Sequence, residues 1–255
     1  ERERHAVCAL YNLAEMVEGR TQRKMLEEGV LGPLLALAGS DKTEIKREVS
    51  RCLALFASKA DSQGALLRSG GLQQMVAFVR SPDLLCQRYG ALALGNLAVT
   101  RANHQDLFDQ GALQSLLLIA NSEDLETRRC VAFALNNIAS NEENHPICDR
   151  MGVLRPLVGL MRQEDQDTHL QACFAVRQLA LSPRSRVHFV ELGGLEPLLH
   201  LANTTESVEV QREVSATLRN LSLSEDNKVS IVRAGGLDPL VNYAHSGDVE
   251  VAHQS

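Results

Sequence analysis

A glycine followed two residues later by a leucine recurs through this chain at intervals of 41 or 42 residues. The six glycines of this series are Gly29, Gly70, Gly111, Gly152, Gly193 and Gly235. A fixed period of this length is the signature of stacked structural units that contact only their neighbours, and not of one closed hydrophobic core. Stacked units present a long surface, so we expect the functional site to be a groove rather than a catalytic pocket.

Residues 101–141 show what one unit contains. A short first helix ends at Gly111, where a sharp turn is easy for glycine, and Asn103 is the predicted N-cap of that helix. Apolar residues predict a second helix over 112–120 and, after a polar loop that supplies an N-cap, a third helix over 125–139. Proline lies early in the second helix of four units, where a first turn tolerates it: Pro33, Pro156, Pro197 and Pro239.

The pattern predicts an all-α fold with essentially no strand. We expect a right-handed α-solenoid with about three helices in each repeat of ~41 residues, forming a single domain over residues 1–255. The full units are predicted at 18–60, 61–100, 101–141, 142–182 and 183–224, and partial units at 1–17 and 225–255.

Composition narrows the possible partners and locations. The net charge of −6 argues against attraction of the whole surface to nucleic acid or anionic lipid. No apolar run is long enough to span a bilayer, and the chain is interpreted as a fragment, so membrane association would need an anchor outside it. Buried free thiols and a reducing, cytoplasmic location are expected, with membrane or cytoskeletal association left open. The cysteines are Cys8, Cys52, Cys86, Cys130, Cys148 and Cys173.

Two recurring sequence motifs resemble those of a known repeat family. The corner Gly111-Ala112-Leu113 and the stretch Ala-Leu-Asn-Asn-Ile-Ala at 134–139 resemble the armadillo repeat, and the likeness covers nearly the whole chain. Within that family, residues 87–98 and 191–198 look most like the armadillo proteins of the vacuolar membrane. The resemblance implies a protein-binding scaffold whose third helices line a concave groove for extended or helical partner segments. The alternative is a structural component of a cytoskeletal, axonemal or membrane-associated assembly.

An asparagine series runs in step with the glycines, and we call it the ladder. An amide offers a donor and an acceptor together, so it can hold the backbone of an extended ligand without reading its sequence. Alternatively, these side chains bond neighbouring helices and meet no ligand. The ladder positions are Asn12, Leu55, Asn96, Asn137, Gln178 and Asn220, of which Leu55 interrupts the amides.

An arginine stands eight residues before most ladder positions. Arginine favours carboxylate or phosphate partners, so an acidic or phosphorylated ligand segment is one interpretation. The other is intramolecular pairing, for instance with Glu48 or Glu213. Phe133 and Phe174 are candidates for an apolar pocket in the middle of the groove, or for ordinary core. The arginines are Arg4, Arg47, Arg88, Arg129 and Arg212, with Leu170 interrupting the row.

Catalysis is the rival class of function. His169 and Cys173 lie four residues apart and could face one way on a helix, but no orienting third residue or oxyanion signature accompanies them. His104 and His145 occupy equivalent first-helix positions, and Lys228 at the corresponding position indicates a solvated site. No phosphate-binding loop or metalloprotease motif occurs. We therefore expect a non-enzymatic protein with no metal and no cofactor.

Overall fold

The structure is a computed structural model that describes residues 1–15 and 20–245. Every regular element in those ranges is helical, as the sequence predicts. The chain divides into two compact units, Glu1–Ala134 and Leu135–Ser255, with the boundary inside the helix Leu125–Ala139. The single-domain organisation and its repeat boundaries stay predictions.

The first unit begins with what the repeat pattern identifies as a third helix. First, second and third helices then follow in order. They are α1 (Arg2–Ala14), α2 (Arg20–Glu27), α3 (Leu31–Ala38), α4 (Thr43–Ala57), α5 (Ala60–Arg68), α6 (Gly71–Val79), α7 (Leu84–Ala98), α8 (His104–Asp109), α9 (Ala112–Leu118) and α10 (Leu125–Ala139), which runs past the boundary. A 3-10 turn at Arg101–Asn103 precedes α8.

The second unit repeats this order. Its helices are α11 (His145–Met151), α12 (Leu154–Met161), α13 (Gln166–Leu179), α14 (Pro183–Glu191), α15 (Leu195–Thr204), α16 (Val208–Leu221), α17 (Glu225–Arg233) and α18 (Leu237–Ala244). A 3-10 turn at Glu142–Asn144 precedes α11. No helix in the described ranges has both the length and the hydropathy to cross a bilayer.

The corners between first and second helices behave as predicted. All six periodic glycines have positive φ, between 70° and 83°, and no other residue type in the described ranges does. At Gly152 an added Cβ would meet nothing within 4 Å, so the left-handed backbone alone requires glycine there. Pro156 is the third residue of α12, inside the first turn as expected.

Third helices of successive repeats stack on each other within each unit. In the first unit α4 packs against α7, and Val49 and Leu53 of α4 are fully buried. In the second unit α13 packs against α16, with Ala172 and Val176 of α13 equally buried. Small and branched aliphatic residues at this contact let the helix axes approach closely. The third helices therefore form a regular row within each unit.

Candidate functional site

Five of the six third helices in the described ranges receive a hydrogen bond near their C-terminus from a buried side-chain amide that sequence reasoning missed; after α13 the equivalent position is Ser185. The Asn103 Nδ2 donates to the carbonyl of Leu97 at 3.0 Å, and the Asn144 Nδ2 donates to Ile138 at 2.8 Å. A helix leaves its last carbonyls without partners, and each of these amides satisfies one of them. Equivalent donors are Gln22 to Ala14, Gln63 to Ala57 and Asn227 to Leu221. Their spacing of about one repeat is the signal that could have found them.

Asn103 occupies the N-cap position of α8 as predicted, but the predicted capping bond from its side chain is absent. The side chain instead reaches back to the helix before it. The prediction of a solvated histidine site is wrong, because His104 and His145 are only 3% and 7% exposed. The Nε2 of each histidine donates to the last residue of the preceding third helix, Ala98 or Ala139. All three side chains therefore donate hydrogen bonds to carbonyls at the C-terminal ends of third helices.

The ladder asparagines link one third helix to the next. The Nδ2 of Asn96 on α7 donates to the carbonyl of Ala54 on α4 at 3.1 Å. The Nδ2 of Asn220 on α16 donates in the same way to Arg177 on α13, also at 3.1 Å. The donor half of these two amides thus stabilises the stack, as the structural alternative expected. Asn137 and Gln178 are half-buried on α10 and α13. Ligand binding by the ladder stays a prediction.

The arginine row meets carboxylates of the same chain. Arg88 on α7 donates to both oxygens of Asp124, at 2.6 and 3.1 Å. Asp124 also caps α10 by accepting from the backbone N–H of Thr127 at 2.8 Å. Arg47 pairs with Asp83 at 2.7 Å, and Asp83 caps α7. The hydrogen bonds from Arg88 lower the pKa of Asp124 to about 2.

The remaining members of the row are placed differently. Arg129 pairs with Glu126 of its own helix at 2.9 Å, and Arg212 lies half-buried on α16. Glu213, one acceptor considered above, accepts from the Arg177 Nε at 2.6 Å. Intramolecular pairing is therefore present at Arg88 and Arg129, while a ligand role for the row stays a prediction.

A groove of about 600 Å³ lies between α13 and α16 in the second unit. It brings together two predicted site residues, Phe174 and Arg212, with Leu170 and Ala216. The Arg177 guanidinium carbon lies 4.5 Å from the centre of the Phe174 ring. A cation over an aromatic face fixes the ring and leaves an apolar surface beside a charged one. The groove can therefore take an apolar side chain next to a polar group.

Phe133 lies in the first unit, so a pocket shared with Phe174 stays a prediction. Its ring covers Gly95 closely, and a Cβ added at Gly95 would be 2.7 Å from the Phe133 Cδ1. Phe133 is nevertheless half-buried rather than enclosed. Its contact with Gly95 shows one face of the ring engaged in packing between α7 and α10.

One wall of the α13–α16 groove carries an unsatisfied acceptor. The Asn136 Nδ2 donates to the Gln171 Oε1 at 2.7 Å. The Asn136 Oδ1 is buried and accepts no hydrogen bond from the described residues. A buried carbonyl without a donor is costly to the fold. Burial raises the pKa of Glu213 on the other wall, and its pairing with Arg177 opposes that rise.

The catalytic alternative finds no support in this geometry. Cys173 is fully buried, and burial raises the pKa of its thiol far above the ordinary value. The His169 Nε2 donates to the carbonyl of Gln163, so this nitrogen cannot accept a proton from the thiol. Five cysteines are buried as predicted, whereas Cys8 is half-buried. Within the described ranges, no cluster of side chains is suited to hold a metal ion.

Comparison with known proteins connects this geometry to one repeat family. The model of the Armadillo/beta-catenin-like repeat matches residues 182–223, the stretch that contains α14, α15 and α16. Among solved structures, one engineered protein is similar over 98% of this chain and 62% of its own, with TM-score 0.90 and 29% identity. A second engineered protein is 31% identical, with TM-score 0.78, over 87% of this chain and 91% of its own.

A designed armadillo repeat protein in complex with the peptide (KR)4 is similar in fold. Its TM-score is 0.77 at 23% identity, over 87% of this chain and 94% of its own. The likeness at this level of identity concerns the helical repeat architecture alone.

Proposed function

We propose that this chain, which belongs to the armadillo-repeat family, is a non-enzymatic scaffold that binds extended or helical segments of partner proteins along its third helices. The observation that carries the proposal is the open groove between α13 and α16. It combines a half-buried aromatic side chain, Phe174, with charged groups of both signs and the amide side chains of Asn136 and Gln171. Apolar anchors with a few polar groups are the usual composition of a recognition groove.

The complex of the designed armadillo repeat protein with (KR)4 supports the class of ligand. A protein of this fold can hold a peptide, and the groove of this chain is lined by the amide side chains of Asn136 and Gln171. An extended chain rises about 3.3 Å per residue, while packed helices lie about 8–10 Å apart. One repeat therefore corresponds to about three ligand residues.

Acidic or phosphorylated segments remain part of the proposal, with the second unit as their place of binding. Arg177 and Arg212 line the groove there, beside Glu209 and Glu213. A ligand carboxylate at Arg88 would instead have to displace Asp124, which holds that guanidinium at two points. A cytoplasmic location is also proposed, and it rests on the burial of five cysteines as free thiols.

Selection from a random peptide display library tests the proposal. Peptides selected on the wild-type protein should bind the Phe174→Ala variant about tenfold more weakly, because truncating an aromatic anchor typically costs more than 1 kcal/mol. Leu118→Ser is the matched control, since Leu118 is 76% exposed on α9 in the other unit. Selected peptides that bind all three proteins equally, or a selection that enriches none, would overturn the proposal.

A further inference from the structure

The second unit carries an exposed aliphatic strip on its first helices and the corners before them. The strip consists of Leu181, Val187, Leu223, Val229 and Val232, each between 38% and 63% exposed. Leu181 and Leu223 are equivalent positions one repeat apart, as are Val187 and Val229. Contiguous exposed apolar surface marks an interaction site more often than scattered single residues do.

The helices that carry the strip are held side by side. The Ser185 Oγ on α14 donates to the Asp149 Oδ1 on α11 at 2.6 Å. The Asn227 Nδ2 on α17 donates to the carbonyl of Arg186 on α14 at 3.1 Å. The three first helices α11, α14 and α17 therefore adjoin, with the strip on α14, α17 and the corners before them, and we call this side of the unit the first-helix edge.

The first unit keeps an aliphatic residue at only part of the corresponding positions: Val99, the equivalent of Leu181, is 61% exposed. Val187 and Val229 are replaced there by Gly64 and Gln105. A requirement of the repeat fold would act on both units alike, and Gly64 and Gln105 show that the fold does not need an exposed valine at this position. The exposed valines of α14 and α17 are therefore not a requirement of the repeat fold.

Two adjoining depressions of about 460 and 320 Å³ lie between α11 and α14 on this edge, and they share Asp149 and Arg184. Their apolar lining includes Leu181 and Val187, and their carboxylates are Asp149, Glu142 and Glu191. Arg184 is the one Lys or Arg side chain among the residues that line them. Three carboxylates against one Lys or Arg side chain give the lining of the two depressions a net negative charge.

We propose that the first-helix edge of the second unit binds an amphipathic helix of a partner protein, with its apolar face on the strip and basic residues along its flanks. The carboxylates of the two depressions supply the charge complementarity. Two turns of a helix rise about 10.8 Å, close to the spacing of about 8–10 Å between packed helices. Apolar residues two turns apart on the ligand therefore meet Val187 and Val229 on successive first helices.

A helix fits this edge better than an extended strand does. An extended ligand needs partners for its backbone N–H and C=O groups, whereas a helix satisfies them internally. The amides near this edge are already engaged: Asn144 donates to Ile138, and Asn227 donates to Leu221 and Arg186. The Arg186 guanidinium also donates to the carbonyls of Ala180 and Leu181. This surface is distinct from the α13–α16 groove, so the inference does not depend on the proposed function.

The test uses fluorescence anisotropy with a synthetic Leu/Lys peptide of roughly 18 residues, long enough to form a helix, with leucine on one face. Two comparison peptides are a Leu/Glu helix and a scrambled Leu/Lys sequence of the same composition. The Leu181→Ser/Val187→Ser double variant should bind the Leu/Lys helix about tenfold more weakly than wild type does. Leu118→Ser, the control on α9, should bind like wild type. The comparison peptides should bind wild type at least about tenfold more weakly.

A second pair of variants tests the charge and guards against misfolding. Glu142→Gln/Glu191→Gln should weaken the Leu/Lys helix and reduce the salt dependence of its binding, because screening acts on the charges that remain. Val229→Ser, which alters a different helix of the edge, should weaken binding even if the double variant folds poorly in a thermal melt. Equal binding of the helical and scrambled peptides would overturn the inference. So would unchanged binding by Val229→Ser, or loss of binding in Phe174→Ala alone, which would place the peptide in the other groove.

Discussion

The guanidinium of Arg88 donates two hydrogen bonds to the carboxylate of Asp124, one repeat further along the chain. The same carboxylate accepts from the backbone N–H and the hydroxyl of Thr127, at 2.8 and 2.7 Å, and so caps the N-terminus of α10. One aspartate therefore starts a helix and joins that helix to the previous repeat. The Arg47–Asp83 pair repeats this arrangement one unit earlier.

Arg88→Ala should lower the free energy of unfolding by about 1–2 kcal/mol, because the pair is partly buried and charge-assisted. Arg23→Ala is the matched control: the Arg23–Asp61 pair has a similar distance of 2.6 Å, but its side chains are 68% and 73% exposed. Surface pairs of that kind contribute about 0–1 kcal/mol. Denaturant melts compare the two. Equal losses would show that burial adds nothing to the Arg88 pair. We expect Arg88→Ala to change stability more than it changes preference between acidic and basic peptides.

The stabilisation by Asp124 should disappear in acid. Its pKa is lowered to about 2 in the folded protein, against about 3.9 for an unperturbed aspartate. A lowered carboxyl pKa stabilises the fold above the unfolded value, and this contribution is lost as the pH falls through 4 towards 2. Wild type should therefore exceed Asp124→Asn by about 2 kcal/mol at neutral pH, and the gap should close on acidification. A difference that stays constant from pH 7 to pH 2 would contradict this.

The glycine corners should resist substitution. Gly111→Val and Gly152→Val should each destabilise by about 1–3 kcal/mol, because both residues have φ near +70°. Gly152 isolates the backbone effect, whereas a Cβ at Gly111 would also lie 3.3 Å from the Arg80 Nη2. The control is Gly32→Ala on α3, where φ is not positive and the space is open, so it should stabilise by about 0.5–1 kcal/mol. Unchanged melting temperatures for both valine variants would refute the requirement.

The ladder can be tested for two roles at once. Asn96→Ala removes the hydrogen bond to the Ala54 carbonyl and should cost about 0.5–1.5 kcal/mol of stability. Asn12→Ala, at an exposed position of the same series on α1, is the control and should cost less. The Asn96→Ala/Asn137→Ala double variant should also weaken binding of selected peptides. If its affinity equals that of wild type while its melting temperature falls, the ladder acts only within the fold.

Sequence patterns predicted the helices well because the start and end of a helix depend on a few neighbouring residues. The third helix 125–139 was predicted with the bounds it has, and Asp124 lies in the loop where an N-cap was expected. The partner of Arg88 could not be predicted in the same way. Its acceptor lies 36 residues away and depends on how two repeats align, which neither residue reveals in sequence.

The sequence also did not reveal to which of two neighbouring helices a polar side chain would hydrogen-bond. Asn103 is a residue type that caps helix starts, yet here it donates to the helix behind it, and nothing in its immediate sequence distinguishes the two. The lysine at position 228 suggested a solvated site for the histidines. Lys228 is indeed half-exposed and pairs with Glu225, but His104 and His145 use the same repeat position to reach a buried carbonyl.

The double engagement of Asp124 has a consequence for how the chain unfolds. If α7 unfolds locally, the hydrogen bonds from Arg88 to Asp124 are lost. Asp124, which caps α10, then lacks the cation that keeps its carboxylate ionised at low pH. Loss of order in one repeat thereby weakens helix initiation in the next, and this coupling adds to that of the apolar contact. Repeats joined by an Arg–Asp pair should exchange their amide protons with deuterium as one cooperative block, rather than independently of each other.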